Sequence, residues 1–118
     1  MTHYITTTSE LSISEGKVDE FKKLATEMIK KVQANEPNTL RYDWFLCEDE
    51  NKCYVIEMYK DSEAVQTHWG NINDLLGPLL ELSSLTELTI YGNPSDEVRQ
   101  VYESVGGKIF KYWNGLTP

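Results

Sequence analysis

The stretch TLRYDWFLCEDENKCYVIEMYK (residues 39–60) predicts a β-hairpin, which is the best-defined part of the fold. Residues 39–47 and 53–60 are rich in aromatic and β-branched side chains, and the polar residues 48–52 between them are typical of a turn. We place Cys47 opposite Cys53, so that alternate side chains share a face. One face then carries Leu40, Tyr42, Trp44, Leu46, Tyr54, Ile56 and Met58. This face is apolar or aromatic throughout, and we expect helices to bury it.

The other face of the hairpin mixes apolar and charged side chains. It carries Arg41, Asp43, Phe45, Cys47, Cys53, Val55, Glu57 and Tyr59. A carboxylate on a covered face needs a hydrogen-bond donor, and Arg41 is the expected partner of Glu57. We expect this face to be the open side of the sheet, where a second copy of the chain packs to form a homodimer.

The remaining strands and helices follow from the periodicity of the apolar residues. We predict a strand at 4–13 and a helix from a cap at Ser14 to Glu36. After the hairpin we predict a helix that begins at Asp61 or Ser62 and breaks around Gly77 and Pro78. A strand at 84–91, a helix at 95–105 and a short strand at 108–113 follow. The first six elements have the order of a ferredoxin-like split β-α-β fold. We therefore expect one α+β domain, residues 1–118, with an antiparallel sheet in a core at about 4–91. A helix–strand extension at about 92–118 follows the core.

Composition and charge restrict the partners. The chain has 11 basic and 19 acidic residues, a net charge of −8, which argues against nucleic acid and anionic membranes. No apolar run is long enough to span a membrane, and MTHYITTTSEL lacks the features of a secretory signal. We expect a cytoplasmic protein with two free thiols and no metal site, because cysteine and histidine do not cluster with zinc spacing.

The segment from Glu36 to Trp69 resembles the antibiotic biosynthesis monooxygenase domain, a family of dimeric α/β barrels. The motifs EPNTLRY, EMY and SEAVQTH carry the resemblance, which extends over about residues 4–91. The residues that fall on family positions are Leu40, Tyr42, Glu57, Tyr59, Ala64 and His68.

The resemblance implies several activities. Members of the family oxidise quinols or polycyclic phenols with oxygen and no cofactor, degrade haem, or isomerise a phosphorylated dione, and others have no known reaction. Haem-degrading members carry an asparagine in the first strand and a tryptophan at the EMY position, whereas YITTTSELSI has no asparagine and Tyr59 replaces the tryptophan. We expect a cofactor-free monooxygenase that oxidises a small electron-rich aromatic molecule such as a quinol or phenol. The alternatives are an isomerase with the same base and a non-catalytic dimeric ligand-binding or structural module.

His68 and Glu57 are the expected catalytic residues. Histidine titrates near neutral pH and can take a proton from a phenol or an enol, with Glu57 holding the imidazole in one tautomer. The alternatives are a histidine that only anchors its helix and a Glu57 that pairs with Arg41. The expected substrate-binding side chains are Tyr42, Trp44, Tyr59 and Trp69, although aromatic residues that face helices are more often core.

Overall fold

The fold is a five-stranded sheet with three helices, and the computed structural model describes residues 3–118. The elements are β1 (Ile5–Ile13), α1 (Val18–Asn35), β2 (Thr39–Leu46), β3 (Lys52–Tyr59), α2 (Ser62–Glu81), β4 (Ser83–Tyr91), α3 (Asp96–Ser104) and β5 (Lys108–Phe110). The strand order across the sheet is β2-β3-β1-β4-β5. The first four strands pair antiparallel, and β5 pairs parallel to β4. The predicted α+β ferredoxin-like arrangement is confirmed.

The central strand β1 divides the sheet into a helix-facing side and an open side. Its side chains alternate between buried and partly exposed along the whole strand, as predicted. The buried set is Ile5, Thr7, Ser9, Leu11 and Ile13. Helix α1 covers this side with its own buried stripe of Phe21, Ala25, Met28 and Val32. The core therefore lies between one face of the sheet and the helices.

The predicted hairpin register is wrong by one residue. Leu46 pairs with Cys53 and Trp44 with Val55, and Tyr42 lies opposite Glu57. Cys47 leaves the ladder and begins the loop, where its backbone N–H donates to the Lys52 carbonyl at 3.1 Å. The shift exchanges the two faces of β3, because side chains alternate along a strand.

The exchange moves the carboxylate of Glu57 to the helix-facing side. Cys53, Val55 and Tyr59 lie on that side and are at most 3% exposed, whereas Tyr54, Ile56 and Met58 lie on the open side. The predicted Arg41–Glu57 pair is also wrong, because the Arg41 Nε atom binds Asp43 Oδ2 at 2.7 Å.

Two predictions about the helices are corrected. Lys17 rather than Ser14 is the N-cap residue of α1. Helix α2 is continuous through Pro78, although a proline removes one backbone hydrogen bond from a helix interior. Its start is as predicted, because the Asp61 side chain accepts a hydrogen bond from the Ala64 backbone N–H at 2.9 Å. No helix within residues 3–118 has the length and hydropathy needed to cross a membrane.

The extension after β4 packs against α2. Ser95 caps α3, and its backbone N–H donates to Ser62 Oγ at the start of α2 at 2.8 Å. The Trp69 and Tyr102 rings meet edge to face with centroids 5.2 Å apart. At the turn after β4, Gly92 has φ of +133°, and a Cβ there would lie 2.6 Å from the Tyr4 carbonyl oxygen. The extension is thus held in place by contacts with both α2 and β4.

The two cysteines should differ sharply in reactivity. Cys47 is exposed, whereas burial raises the pKa of Cys53 to about 11 from the ordinary value of 9.0. Because the thiolate is the reactive form, we expect Cys53 to react with an aromatic disulfide reagent roughly tenfold or more slowly than Cys47 at pH 8. The measurement is absorbance of the released thiolate from the native protein. In a Cys47→Ser variant the fast phase should vanish, and equal rates for the two thiols would contradict the register.

Candidate active site

A cavity of about 350 Å³ lies between the sheet and the three helices. Aliphatic side chains form most of its wall. The polar or aromatic lining residues are Thr7, Ser9, Tyr42, Trp44, Glu57, His68, Trp69, Asn73 and Tyr102. Glu57 is the one acidic residue that lines the cavity, and neither lysine nor arginine contributes to the lining among residues 3–118. An apolar cavity with a few convergent polar groups is the usual form of a small-molecule site.

A buried hydrogen-bonded pair, Glu36 and His68, joins the end of α1 to α2 behind this cavity. Glu36 follows the last residue of α1, and its side chain is 1% exposed. Its carboxylate oxygens lie 2.9 and 3.2 Å from His68 Nδ1. Thr39 Oγ1 and Asn71 Nδ2 donate to the same carboxylate at 2.7 Å each. Because a carboxylate accepts hydrogen bonds and donates none, His68 Nδ1 carries a proton in this contact.

The second nitrogen of His68 faces the cavity carboxylate. His68 Nε2 lies 3.3 Å from Glu57 Oε1, and the Tyr59 hydroxyl donates to the same oxygen. Glu57 Oε2 has no hydrogen bond to any residue in the described range 3–118. The imidazole is therefore held between two carboxylates, in what we call the Glu36–His68–Glu57 triad. The fold brings together Glu57 and His68, the two expected catalytic residues.

Three tyrosines, two buried and one partly buried, surround the triad as neutral phenols. Burial, together with the negative charge of Glu57, raises the pKa of Tyr42, Tyr59 and Tyr102 well above the ordinary value of 10.0. The Tyr42 and Tyr59 rings lie against the His68 ring, with centroids 5.1 and 5.4 Å away. These hydroxyl groups therefore remain hydrogen-bond donors across the whole range of neutral pH.

The four predicted substrate-binding residues lie in two different positions. Tyr42, Trp44 and Trp69 line the cavity. Tyr59 is 1% exposed and lies behind Glu57, whose carboxylate it holds. The Trp44 ring makes edge contacts with Phe21 and Tyr42, and its Nε1 atom is buried without a hydrogen-bond partner in the described part of the chain.

Glu36 and Asn71 are functional candidates that the sequence analysis missed. One local signal points to Glu36. An acidic side chain at the C-terminal end of a helix opposes the helix dipole, and α1 has no basic residue in its last turn. Such a carboxylate needs donors from elsewhere in the fold. Asn71 supplies one of them and also donates to the Lys31 carbonyl at 3.0 Å, which fixes its amide orientation.

Removal of the Glu36 carboxylate should strongly destabilise the protein. Glu36→Ala leaves the buried donor His68 and the partly buried donors Thr39 and Asn71 without their acceptor, and we expect the free energy of unfolding to fall by about 3 kcal/mol or more. Urea denaturation followed by circular dichroism measures this change. Glu27→Ala, at an exposed position of α1, is the matched control and should shift the free energy by less than about 0.5 kcal/mol. An equal decrease in the free energy of unfolding in both variants would show that the triad does not stabilise the fold.

Solved structures with the same fold include several bacterial proteins. MupZ from Pseudomonas fluorescens is 19% identical and superposes with a TM-score of 0.88 over 99% of this chain and 96% of that one. A mutant of SnoaB, a cofactor-independent oxygenase from Streptomyces nogalater, is 16% identical with a TM-score of 0.67 over 80% and 96%. A candidate antibiotic biosynthesis monooxygenase from Caulobacter crescentus is 24% identical with a TM-score of 0.67 over 75% and 86%. At these identities the likeness establishes the fold.

Sequence comparison identifies the family. Among curated proteins no sequence matches significantly. The family described as antibiotic biosynthesis monooxygenase matches residues 5–71, which is more than half of the 118 residues. The match includes β1, α1, the hairpin, Glu36, Glu57 and His68. The chain belongs to the antibiotic biosynthesis monooxygenase family.

Proposed function

We propose that this protein is a cofactor-independent monooxygenase that deprotonates and oxidises an electron-rich phenol or quinol in its apolar cavity. The family supports monooxygenase chemistry, and the related fold of SnoaB, a cofactor-independent oxygenase, agrees with it. The observation that carries the proposal is the Glu36–His68–Glu57 triad, which presents one carboxylate to the cavity.

Glu57 is the group in contact with the ligand in this proposal, and His68 acts behind it. One Glu57 oxygen is held by His68 and Tyr59, which leaves Oε2 to accept a proton from a ligand hydroxyl. Transfer of a proton to Oε2 neutralises the Glu57 carboxylate, whose charge is poorly screened in an apolar cavity.

Proton removal prepares the substrate for oxygen. A phenolate gives up electrons to oxygen more readily than the phenol does. One oxygen atom then replaces a ring hydrogen ortho or para to the hydroxyl and the other leaves as water, so that a phenol becomes a quinone and a quinol becomes a hydroxyquinone. The substrate loses one hydroxyl proton and the replaced ring hydrogen, and it supplies all four electrons that reduce the oxygen molecule. The neutral Tyr42 hydroxyl lines the same cavity and can donate a hydrogen bond to the developing oxyanion.

The second candidate is an isomerase with the same base. Enolisation needs a carboxylate to remove a proton from carbon and a neutral donor to stabilise the enolate oxygen. Glu57 satisfies the first requirement, and the raised pKa values of Tyr42 and Tyr102 satisfy the second. Oxygen consumption distinguishes the two candidates, because isomerisation needs none.

Oxygen uptake with naphthalene and anthracene quinols tests the monooxygenase. The product should contain one atom from isotopically labelled oxygen gas, after subtraction of the autoxidation rate. Glu57→Gln should lower kcat/KM by about 10²–10⁴-fold, because it removes the general base. His68→Ala should lower kcat/KM by a factor of the same order. Glu63→Gln, at an exposed position of α2, is the matched control and should keep full activity.

Three outcomes contradict the proposed reaction or its assignment to these residues. Unchanged turnover in Glu57→Gln would remove this carboxylate from the mechanism. Exchange of a substrate C–H with solvent deuterium, without oxygen uptake, would identify the isomerase. Binding of the quinols with neither reaction would identify a non-catalytic ligand-binding module.

We also propose that the chain forms a homodimer through the open side of the sheet. Phe45, Tyr54, Tyr91 and Phe110 on this side are between 43% and 57% exposed. Tyr91 and Phe110 stack with their centroids 6.0 Å apart, so they present one continuous aromatic surface. An exposed surface of this kind is typical of a contact between proteins.

Light scattering after size-exclusion chromatography tests the dimer. The wild type should have the mass of two chains, and Tyr91→Lys should have the mass of one, because a charge would be buried in the contact. Ile29→Lys changes an exposed apolar residue on α1 and should stay dimeric. A monomeric wild type, or a dimeric Tyr91→Lys variant, would contradict this interface.

A further inference from the structure

The cavity changes in chemistry from its inner end to its mouth. The inner end contains the triad residues Glu57 and His68 together with Thr7, and His68 and Thr7 are at most 3% exposed. The mouth consists of five aliphatic side chains that are partly open to solvent, from 39% for Leu76 and Leu85 to 55% for Val105. They are Leu76, Leu80, Leu85, Val101 and Val105.

Helix α3 supplies one side of the mouth. Val101 lies in the last turn of the helix, and Val105 is the residue that follows its end; both line the mouth. Tyr102 is buried beside them, where its ring contacts Trp69. This helix lies beyond residues 5–71, the part of the chain that matches the family. The extension therefore adds an aliphatic wall to a cavity whose catalytic candidates lie within the family domain.

The mouth favours an apolar occupant. Among residues 3–118, Asn73 is the one exposed polar residue of the cavity wall, and the lining has no lysine or arginine to bind a phosphate or carboxylate. Five exposed aliphatic side chains on one rim leave apolar surface in water, and contact with an aliphatic ligand removes that surface from water. A ligand confined to the aromatic inner end would leave the mouth uncovered.

We infer that the ligand of this site is amphipathic, with a hydroxylated, electron-rich head at Glu57 and an aliphatic chain that leaves through the mouth between α2 and α3. The planar side chains Tyr42, Trp44 and Trp69 contact the head, and Leu80 and Val101 contact the chain. The inference rests on the proposed function only for the chemistry of the head. The aliphatic chain follows from the composition of the mouth.

Binding of 4-alkylphenols under anaerobic conditions tests the inference without turnover. Isothermal titration with 4-methylphenol, 4-propylphenol and 4-hexylphenol should show affinity rising by about three- to fourfold for each added methylene that contacts the mouth. Val101→Asp and Val105→Asp should each weaken 4-hexylphenol binding by roughly tenfold or more, because the chain would meet a charge. Both variants should bind 4-methylphenol as the wild type does.

Ile29→Asp is the matched control, because Ile29 is 36% exposed on α1 and does not line the cavity. It should leave the affinity for all three phenols unchanged. Affinity independent of chain length would overturn the inference, as would equal losses for the methyl and hexyl ligands in Val101→Asp. If Val101→Asp instead splits a dimer and chain length has no effect, the mouth is a contact between copies and the inference fails.

The titrations test the amphipathic ligand and oxygen uptake tests the monooxygenase, so either proposal can be refuted without the other. Chain-length dependence without oxygen uptake from any quinol would sustain the amphipathic ligand and refute the monooxygenase. Oxygen uptake with short quinols, combined with no chain-length dependence, would do the reverse.

Discussion

The buried carboxylate of Glu36 is the constraint on which the site depends. It lies at the negative end of the α1 dipole and away from water, a position that is unfavourable unless several donors satisfy it. Thr39, His68 and Asn71 are those donors, and they come from β2 and α2. The requirement fixes the rotation of α2 about its own axis and the tautomer of His68. It thereby directs His68 Nε2 toward Glu57 across the sheet-facing side of the helix.

The same constraint separates the roles of the two catalytic candidates. Both ring nitrogens of His68 are engaged, so the imidazole has no free nitrogen for a ligand. Glu57 faces the cavity and is the group that can meet a substrate hydroxyl. This arrangement makes His68 a positioning residue. The surrounding tyrosines stay neutral because burial and the charge of Glu57 both oppose their ionisation. The largely apolar cavity therefore contains tyrosine hydroxyl groups as donors and the Glu57 carboxylate as acceptor.

The elements that could be predicted are those with strong local periodicity. The alternation along β1 and the apolar stripe of α1 each repeat over several turns or pleats, so the order of elements followed from the sequence. The register of β2 and β3 did not, because pairing the two cysteines placed Cys47 in the ladder when it belongs to the loop. That error of one residue in the register placed Glu57 on the open face of the sheet. The correct face follows from the burial of Val55 and Tyr59 under the helices, which is a tertiary contact.

The candidate site was predictable in part for a related reason. His68, Glu57 and Tyr42 fall within short motifs near one another in the sequence, and Trp44 was expected from the aromatic face of the hairpin. Glu36 and Asn71 act through contacts between residues 32 and 35 positions apart, which no local pattern reveals. The role of α3 is likewise a tertiary feature, because an amphipathic helix of nine residues does not indicate which surface it covers.

The most direct test of this account is a nitrogen-15 NMR spectrum of the imidazole groups. The His68 signals are distinguished from those of His3 because they disappear in His68→Ala. The account predicts that His68 Nδ1 carries a proton in the folded protein, seen as a strongly downfield signal that exchanges slowly with water. The Nε2 resonance should change in Glu57→Gln while the Nδ1 proton stays in place. A His68 ring that exchanges its Nδ1 proton rapidly, or that carries a proton on Nε2 alone, would contradict the buried triad from which the proposed function is derived.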